Sequence, residues 1–246
     1  MRSAALSISI FLIAVALAGI GYLGYKGIIP IPGDFFKASV PRDLGVASTE
    51  QDFNNFINKT QSQILPIESA KEFPDVGNKE VLFTKPIEYD MEFSNSQISA
   101  RINYAKWSGI PVENVQVKFS EGNIVEVSGN LLPGKIKDFT KQAGVAGKLT
   151  SPIEKGIGLI EKLNSSPAFY IKAQVVAKDN LVVTNVQEVY INRVNISPDK
   201  AQGITNSAVE SILKSVDGLY IDNAEFSEDR LYFKGNAPSI IYSKQN

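Results

Sequence analysis

The chain has 246 residues, with 25 Lys plus Arg against 26 Asp plus Glu, a formal net charge of -1 and no long run of either sign. Phosphate backbones reward clustered cations, so this balance speaks against a nucleic-acid partner. With no cysteine and no histidine, the sequence excludes thiolate and imidazole metal ligands, a cysteine nucleophile, every histidine-based triad and any disulfide.

From Ser3 to Tyr25 the chain carries no charge, with Ile8, Ile10, Phe11, Leu12, Ile13, Val15 and Leu17 at the centre of the run. About 20 apolar residues suffice to cross a bilayer as a helix, so this stretch reads as a single-pass signal anchor. Arg2 and the amino terminus then stay cytoplasmic, and everything after Lys26 lies outside. The alternative is a cleaved signal peptide, because Ala16-Leu17-Ala18 before Gly19 is a small-x-small site. Either reading places the remaining chain outside the cytoplasm.

Residues 27–48 hold Pro30, Pro32 and Pro41 without helical periodicity and read as a spacer. Arg42 and Asp43 fall near its end, where an exposed pair holding the loop is the expected use. Ser48 or Thr49 then caps a helix whose first turn carries Glu50 and Asp52, and Phe53, Phe56, Ile57, Thr60 and Ile64 form its apolar face. A connection follows to about residue 78. Val81, Phe83, Ile87, Tyr89, Met91 and Phe93 alternate as a strand interrupted at Pro86.

Two segments then repeat one unit, residues 95–133 and 206–238. In each, an amphipathic helix precedes a strand, a tight turn and a second strand; Asn114, Phe119, Ser120, Glu121, Gly129 and Asn130 align with Asn223, Phe226, Ser227, Glu228, Gly235 and Asn236. The alignment needs one unpaired residue in the last strand, which a bulge could absorb. Between the copies lie a mixed segment over 132–150, a helix opened by Ser151-Pro152-Ile153-Glu154, and a long hairpin turning at Asp179-Asn180. Ser197-Pro198 opens the last helix, and Gly218 sits where a left-handed cap closes it. The fold class expected is α+β: an N-terminal transmembrane helix, then a curved antiparallel sheet with helices packed on one face and repeated helix-hairpin units. The domains are an anchor over 1–26, a spacer over 27–48, an amphipathic helix and connection over 49–78, and an extracytoplasmic domain over 79–246.

Without histidine or cysteine, an enzyme here needs paired carboxylates, a Ser-Lys dyad or an oxygen-ligated cation. Ser211 to Lys214 is a Ser-x-x-Lys, but it lies inside an amphipathic helix without companion motifs. The turns SEGN and SEDR lack the ligand density of a calcium loop. The expectation is a protein that is not an enzyme and uses no cofactor.

The strand, the S-x-x-Q-capped helix and the hairpin NVQVKFSEGNIVEVSGNL, after a single anchor, resemble bacterial YpmS-like and LmeA-like extracytoplasmic proteins over roughly residues 79 to 238. Those in turn resemble tubular lipid-binding domains, in which a long curved sheet wraps a helix over an apolar groove. The chain departs from them in the polar helix start NSQISARIN. The stretch VPRDLGVASTEQDF is also similar to a segment beside the anchor in envelope proteins of poorly cultivated bacteria. No catalytic residues come with either resemblance; what it implies is contact with lipid or another apolar ligand.

The leading expectation is therefore a non-catalytic, membrane-anchored binding domain of a cell envelope, with Ile98, Ile102, Val117, Phe119, Phe169, Ile171, Val175 and Ile212 lining a groove for lipid or another apolar ligand. The plain alternative for each of these side chains is that it fills a core. A second reading is an envelope scaffold presenting a sheet edge or the Arg42-Asp43 region to a protein partner. A third is a carboxylate-only hydrolase. An empty apolar cavity favours the first, a filled core with an exposed apolar patch the second, and clustered carboxylates in a cleft the third.

Overall fold

The computed structural model describes residues 39–73, 81–105, 109–142 and 165–243. Thr49 caps α1 (Glu50–Thr60): its hydroxyl accepts from the Asp52 N–H at 3.2 Å while the Asp52 carboxylate reaches back to the Thr49 N–H at 2.9 Å. Ser94 and Gln97 close the same reciprocal box on α2 (Asn95–Asn103), as the S-x-x-Q start implies, and of the two caps offered for α1, Ser48 or Thr49, Thr49 takes the place. The remaining described helices are α3 (Ile136–Gln142) and α4 (Pro198–Ser215).

One sheet holds β1 (Gln63–Pro66), β2 (Val81–Ser94), β3 (Val112–Ser120), β4 (Ile124–Leu131), β5 (Ala168–Lys178), β6 (Leu181–Ile191), β7 (Val194–Asn195), β8 (Tyr220–Ser227) and β9 (Arg230–Ser243). Two long strands organise it. β5 has β6 along one side and, on the other, β4 followed by a two-residue pairing with β8. β9 has β2 along one side and, on the other, β8 followed by β1.

The expected antiparallel sheet is corrected to a mixed one, because β1 runs parallel to β9 from Gln63↔Ile240 to Pro66↔Ser243. β9 has 14 residues and β8 only 8, so β9 outlasts its hairpin partner and offers the rest of its edge to the short strand that follows α1. The transmembrane helix is also corrected: among the described residues no helix is long and apolar enough to cross a membrane. The longest of them, α4, has 18 residues but carries Asp199, Lys200, Glu210 and Lys214. The proposed anchor over residues 1–26 lies outside the described residues, as do Trp107 and the helix expected at Ser151.

The repeat survives in its hairpins and fails in its helices. Gly129 and Gly235 both face an irregularity in the partner strand, at Glu113/Gln116 and at Ile221/Asn223. A Cβ on Gly129 would meet the Glu113 carbonyl at 3.0 Å, and one on Gly235 would meet the Tyr220 carbonyl at 2.1 Å. The one-residue difference between the copies is absorbed in the turns and not by a bulge in the last strand. Three residues separate Ser120 from its partner Ile124, whereas two separate Ser227 from Arg230. The helices diverge: α2 packs on β3, which follows it, whereas α4 packs on β6, which precedes it.

Those two helices occupy the open sides of β3 and β6, and polar side chains make the junction. On α2, Asn95, Ser99 and Asn103 recur every four residues, a rise of about 6 Å, while alternate residues of a strand are about 6.6 Å apart. The two repeats match. Asn95 Oδ1 accepts from Phe119 N at 2.9 Å, Ser99 Oγ from Val117 N at 2.8 Å and Asn103 Oδ1 from Val115 N at 2.8 Å. On α4, Gln202 Oε1 accepts from Val186 N at 2.7 Å and its Nε2 donates to the Thr184 carbonyl at 2.5 Å. Each helix thus takes the place of an adjoining strand, α2 along β3 and α4 at the stretch of β6 that lies beyond its short pairing with β7. The polar start NSQISARIN, which set the chain apart from its resemblance, is the sequence of that seal.

Candidate interaction face

Seven of the eight residues expected to line a groove have described side chains. Ile98, Ile102, Val117, Phe119, Phe169, Ile171 and Val175 are all buried in one continuous apolar cluster, together with Phe56, Phe93, Val127, Leu231 and Phe233. Phe119 also meets the Phe226 ring of the other hairpin at 5.4 Å. Ile212 lies on α4, and its side chain falls outside the described set. A smaller cluster, Ile67, Ala70, Leu82, Ile240 and Tyr242, packs separately.

A groove of about 480 Å³ does open between the approach to α1, the end of α2 and β3. Its lining is mostly polar, including Ser48, Asn103, Asn114 and Gln116, and contains none of the eight expected residues.

Arg42 and Asp43 do not hold each other. The Asp43 carboxylate accepts from the Gly45 N–H at 2.8 Å and shapes a local turn. The Arg42 guanidinium lies 3.6 Å above the Tyr170 ring and 3.8 Å from the Glu188 carboxylate. Tyr170 donates its hydroxyl to Glu126 at 2.5 Å, and burial followed by that bond raises its pKa well above the ordinary tyrosine value. Around this stack, the segment from Ser39 to Ser48 is laid across β3, β4 and β5. Asn130 donates to the Ser39 carbonyl at 2.8 Å, Gln116 accepts from Leu44 N at 2.8 Å, and Asn103 reaches Ser48 Oγ at 3.2 Å. Tyr170 and Tyr190 face each other across β5 and β6, so this strap covers the outer face of the hairpin near its base.

At the tip of the same hairpin the outer face is bare. Val176 pairs directly with Val183 across the strands, and Leu181 lies two residues from Val183 on the same face. They are 50%, 52% and 65% exposed. Asp179 and Asn180, both with positive φ, make the two-residue turn, and the Asp179 and Asn180 N–H groups donate to the carbonyls of Asp222 and Ile221. The apolar pair therefore sits on an anchored tip. Elsewhere on the sheet surface, exposed side chains of β2, β8 and β9 include three pairs made by charge or hydrogen bond: Arg230 with Glu92, Lys234 with Asp222, and Tyr232 with Asp90.

Lys214 is engaged by Glu210 at 2.5 Å, one helical turn away, and among the described residues no group of three carboxylates comes together to hold a metal ion. The feature that sequence reasoning missed is Arg101. It is fully buried on α2, although nothing in NSQISARIN distinguishes it from an exposed helical arginine. No family profile matches the chain, and no curated protein or solved structure does.

Proposed function

We infer that this chain is a non-catalytic interaction module that binds a protein partner through the outer tip of the β5-β6 hairpin. The observation that carries the reading is the apolar trio Val176, Leu181 and Val183, held on a rigid tip while the candidate groove residues are used up in the core. Scattered exposed apolar residues are ordinary on a soluble surface, but a cross-strand valine pair with a leucine beside it on the same face makes a patch that gains by being covered. The sealed edges of β3 and β6 direct a partner to the face and away from strand addition at those sites. The charge-free run from Ser3 to Tyr25 supports a place of work outside the cytoplasm.

Site-specific photo-crosslinking in the cells that make the protein tests this reading. A crosslinking amino acid at Val183 should trap one discrete adduct, which Leu181→Asp abolishes. The same amino acid at Glu88, on the exposed surface of β2, should trap none. No adduct at Val183, or the same adducts from both positions, would refute the assignment.

A further inference from the structure

Among the described residues, Arg101 is the largest side chain that is completely shut away from solvent. Its Nε, Nη1 and Nη2 find no hydrogen-bond partner among the described residues. The neighbours on α1 are aromatic: the guanidinium carbon lies 5.9 Å from the Phe53 ring and 5.8 Å from the Phe56 ring. Burial pulls the Arg101 pKa down to about 9, so near neutral pH the group keeps its charge. Aromatic faces attract a cation at about 6 Å, but they supply no acceptors for the guanidinium N–H groups, and a buried charge without a counter-charge is expensive.

We propose that the α1-α2 interface is a binding site for a carboxylate on an aliphatic stem, with Arg101 as its charge partner. A carboxylate carries one negative charge, which neutralises one guanidinium in a site without other ions; a phosphate monoester would leave net charge buried. Its two oxygens match the planar fork of Nε, Nη1 and Nη2, while the rings of Phe53 and Phe56 suit an aliphatic chain. Tyr104 is the link between this interface and the polar groove. Tyr104, 40% exposed and part of the groove wall, has its ring 6.5 Å from that of Phe53, the same ring that faces the guanidinium. This site is separate from the hairpin tip and stands or falls apart from it.

The test is calorimetric titration of the full chain with decanoate, kept below its critical micelle concentration, and with decanol as the neutral twin. One decanoate per chain should bind saturably, and decanol at least about tenfold more weakly, the factor that a charge-assisted hydrogen bond supplies. Arg101→Met keeps the length of the stem without the charge and should lose at least about tenfold in decanoate affinity while melting no lower than the parent. Arg101→Lys, which keeps the charge and loses the fork, should fall between the two and serves if the methionine variant does not fold. Absence of saturable decanoate binding, equal binding of decanol, or undiminished decanoate binding by the substituted chains would overturn the proposal.

Discussion

Asn103 and Val115 exchange two hydrogen bonds of 2.8 Å each: the side-chain amide donates to the Val115 carbonyl, and its oxygen accepts from the Val115 N–H. That is the exchange a residue of an adjoining antiparallel strand would make, performed here by one side chain on a helix. The strand edge is therefore satisfied without a further strand, and α2 is fixed in register with β3.

Replacing this amide should be costly because Val115 is buried. Asn103→Ala leaves both of its backbone groups without their partners and should lower stability by about 2–4 kcal/mol, since each unsatisfied buried group costs about 1–3 kcal/mol. Asn103→Asp should be at least as damaging, because the donor to the Val115 carbonyl is replaced by an acceptor. Urea denaturation of the two variants checks both statements.

Gly235 and Gly203 make opposite predictions for the same substitution. At Gly235 φ is +148° and a Cβ would lie 2.1 Å from the Tyr220 carbonyl, so alanine requires the β8-β9 pairing to move and should cost about 3 kcal/mol or more. Gly203 lies within α4, and a Cβ there meets nothing within 4 Å. Gly203→Ala should leave stability unchanged or raise it by up to about 1 kcal/mol, because alanine is the better helix former. Melting curves of the pair separate the two effects.

Arg101 predicts a pH dependence of definite sign. Its folded pKa of about 9 lies well below the ordinary arginine value, so the cost of holding the charge is fully present below about pH 9. As pH rises from there, the folded chain gives up a proton that the unfolded chain still holds, and the cost is relieved. Arg101→Met should therefore exceed the parent in stability by about 1–4 kcal/mol near neutral pH, with the gap narrowing above about pH 9. Urea midpoints at about pH 7 and about pH 10 measure it.

Val183 should be dispensable to the fold. Its side chain is half exposed and its main apolar contact is the cross-strand pair with Val176, worth roughly 0.2–1 kcal/mol. Val183→Asp should lower the unfolding free energy measured in urea by no more than about 1 kcal/mol and still remove partner binding. A large loss of stability would mean that the pair belongs to the packing and is not a free surface.

The local signals in the sequence were legible because their physics is local. The Thr49 and Ser94 caps, the Asp179-Asn180 turn, the left-handed Gly218 and the alternating apolar faces of β3, β4 and β5 each depend on a few neighbouring residues. The parallel pairing of β1 was not legible, since four residues ending in Pro66 acquire a strand identity only from the exposed end of β9. Assigning eight apolar residues to a groove failed for a related reason: periodicity shows which face turns inward, not whether the space it faces is filled. Asn95, Ser99 and Asn103 did leave a mark, polar residues at a strict spacing of four, but the pattern reads as a solvated helix face until β3 is placed against it.

Amide hydrogen exchange at Val117 and Val186 tests most directly the claim that helix side chains close the sheet edges and leave the outer face for binding. Val117 N–H is held by Ser99 and Val186 N–H by Gln202, and among the described residues no strand pairs with β3 at Val117 or with β6 at Val186 on those sides, β7 meeting β6 only at Tyr190 and Ile191. Both amides should exchange as slowly as that of Val127 inside the sheet, and Ser99→Ala should speed exchange at Val117 while leaving Val186 unchanged. Fast exchange at both positions in the parent chain, or protection of Val117 that survives the loss of Ser99, would contradict the account.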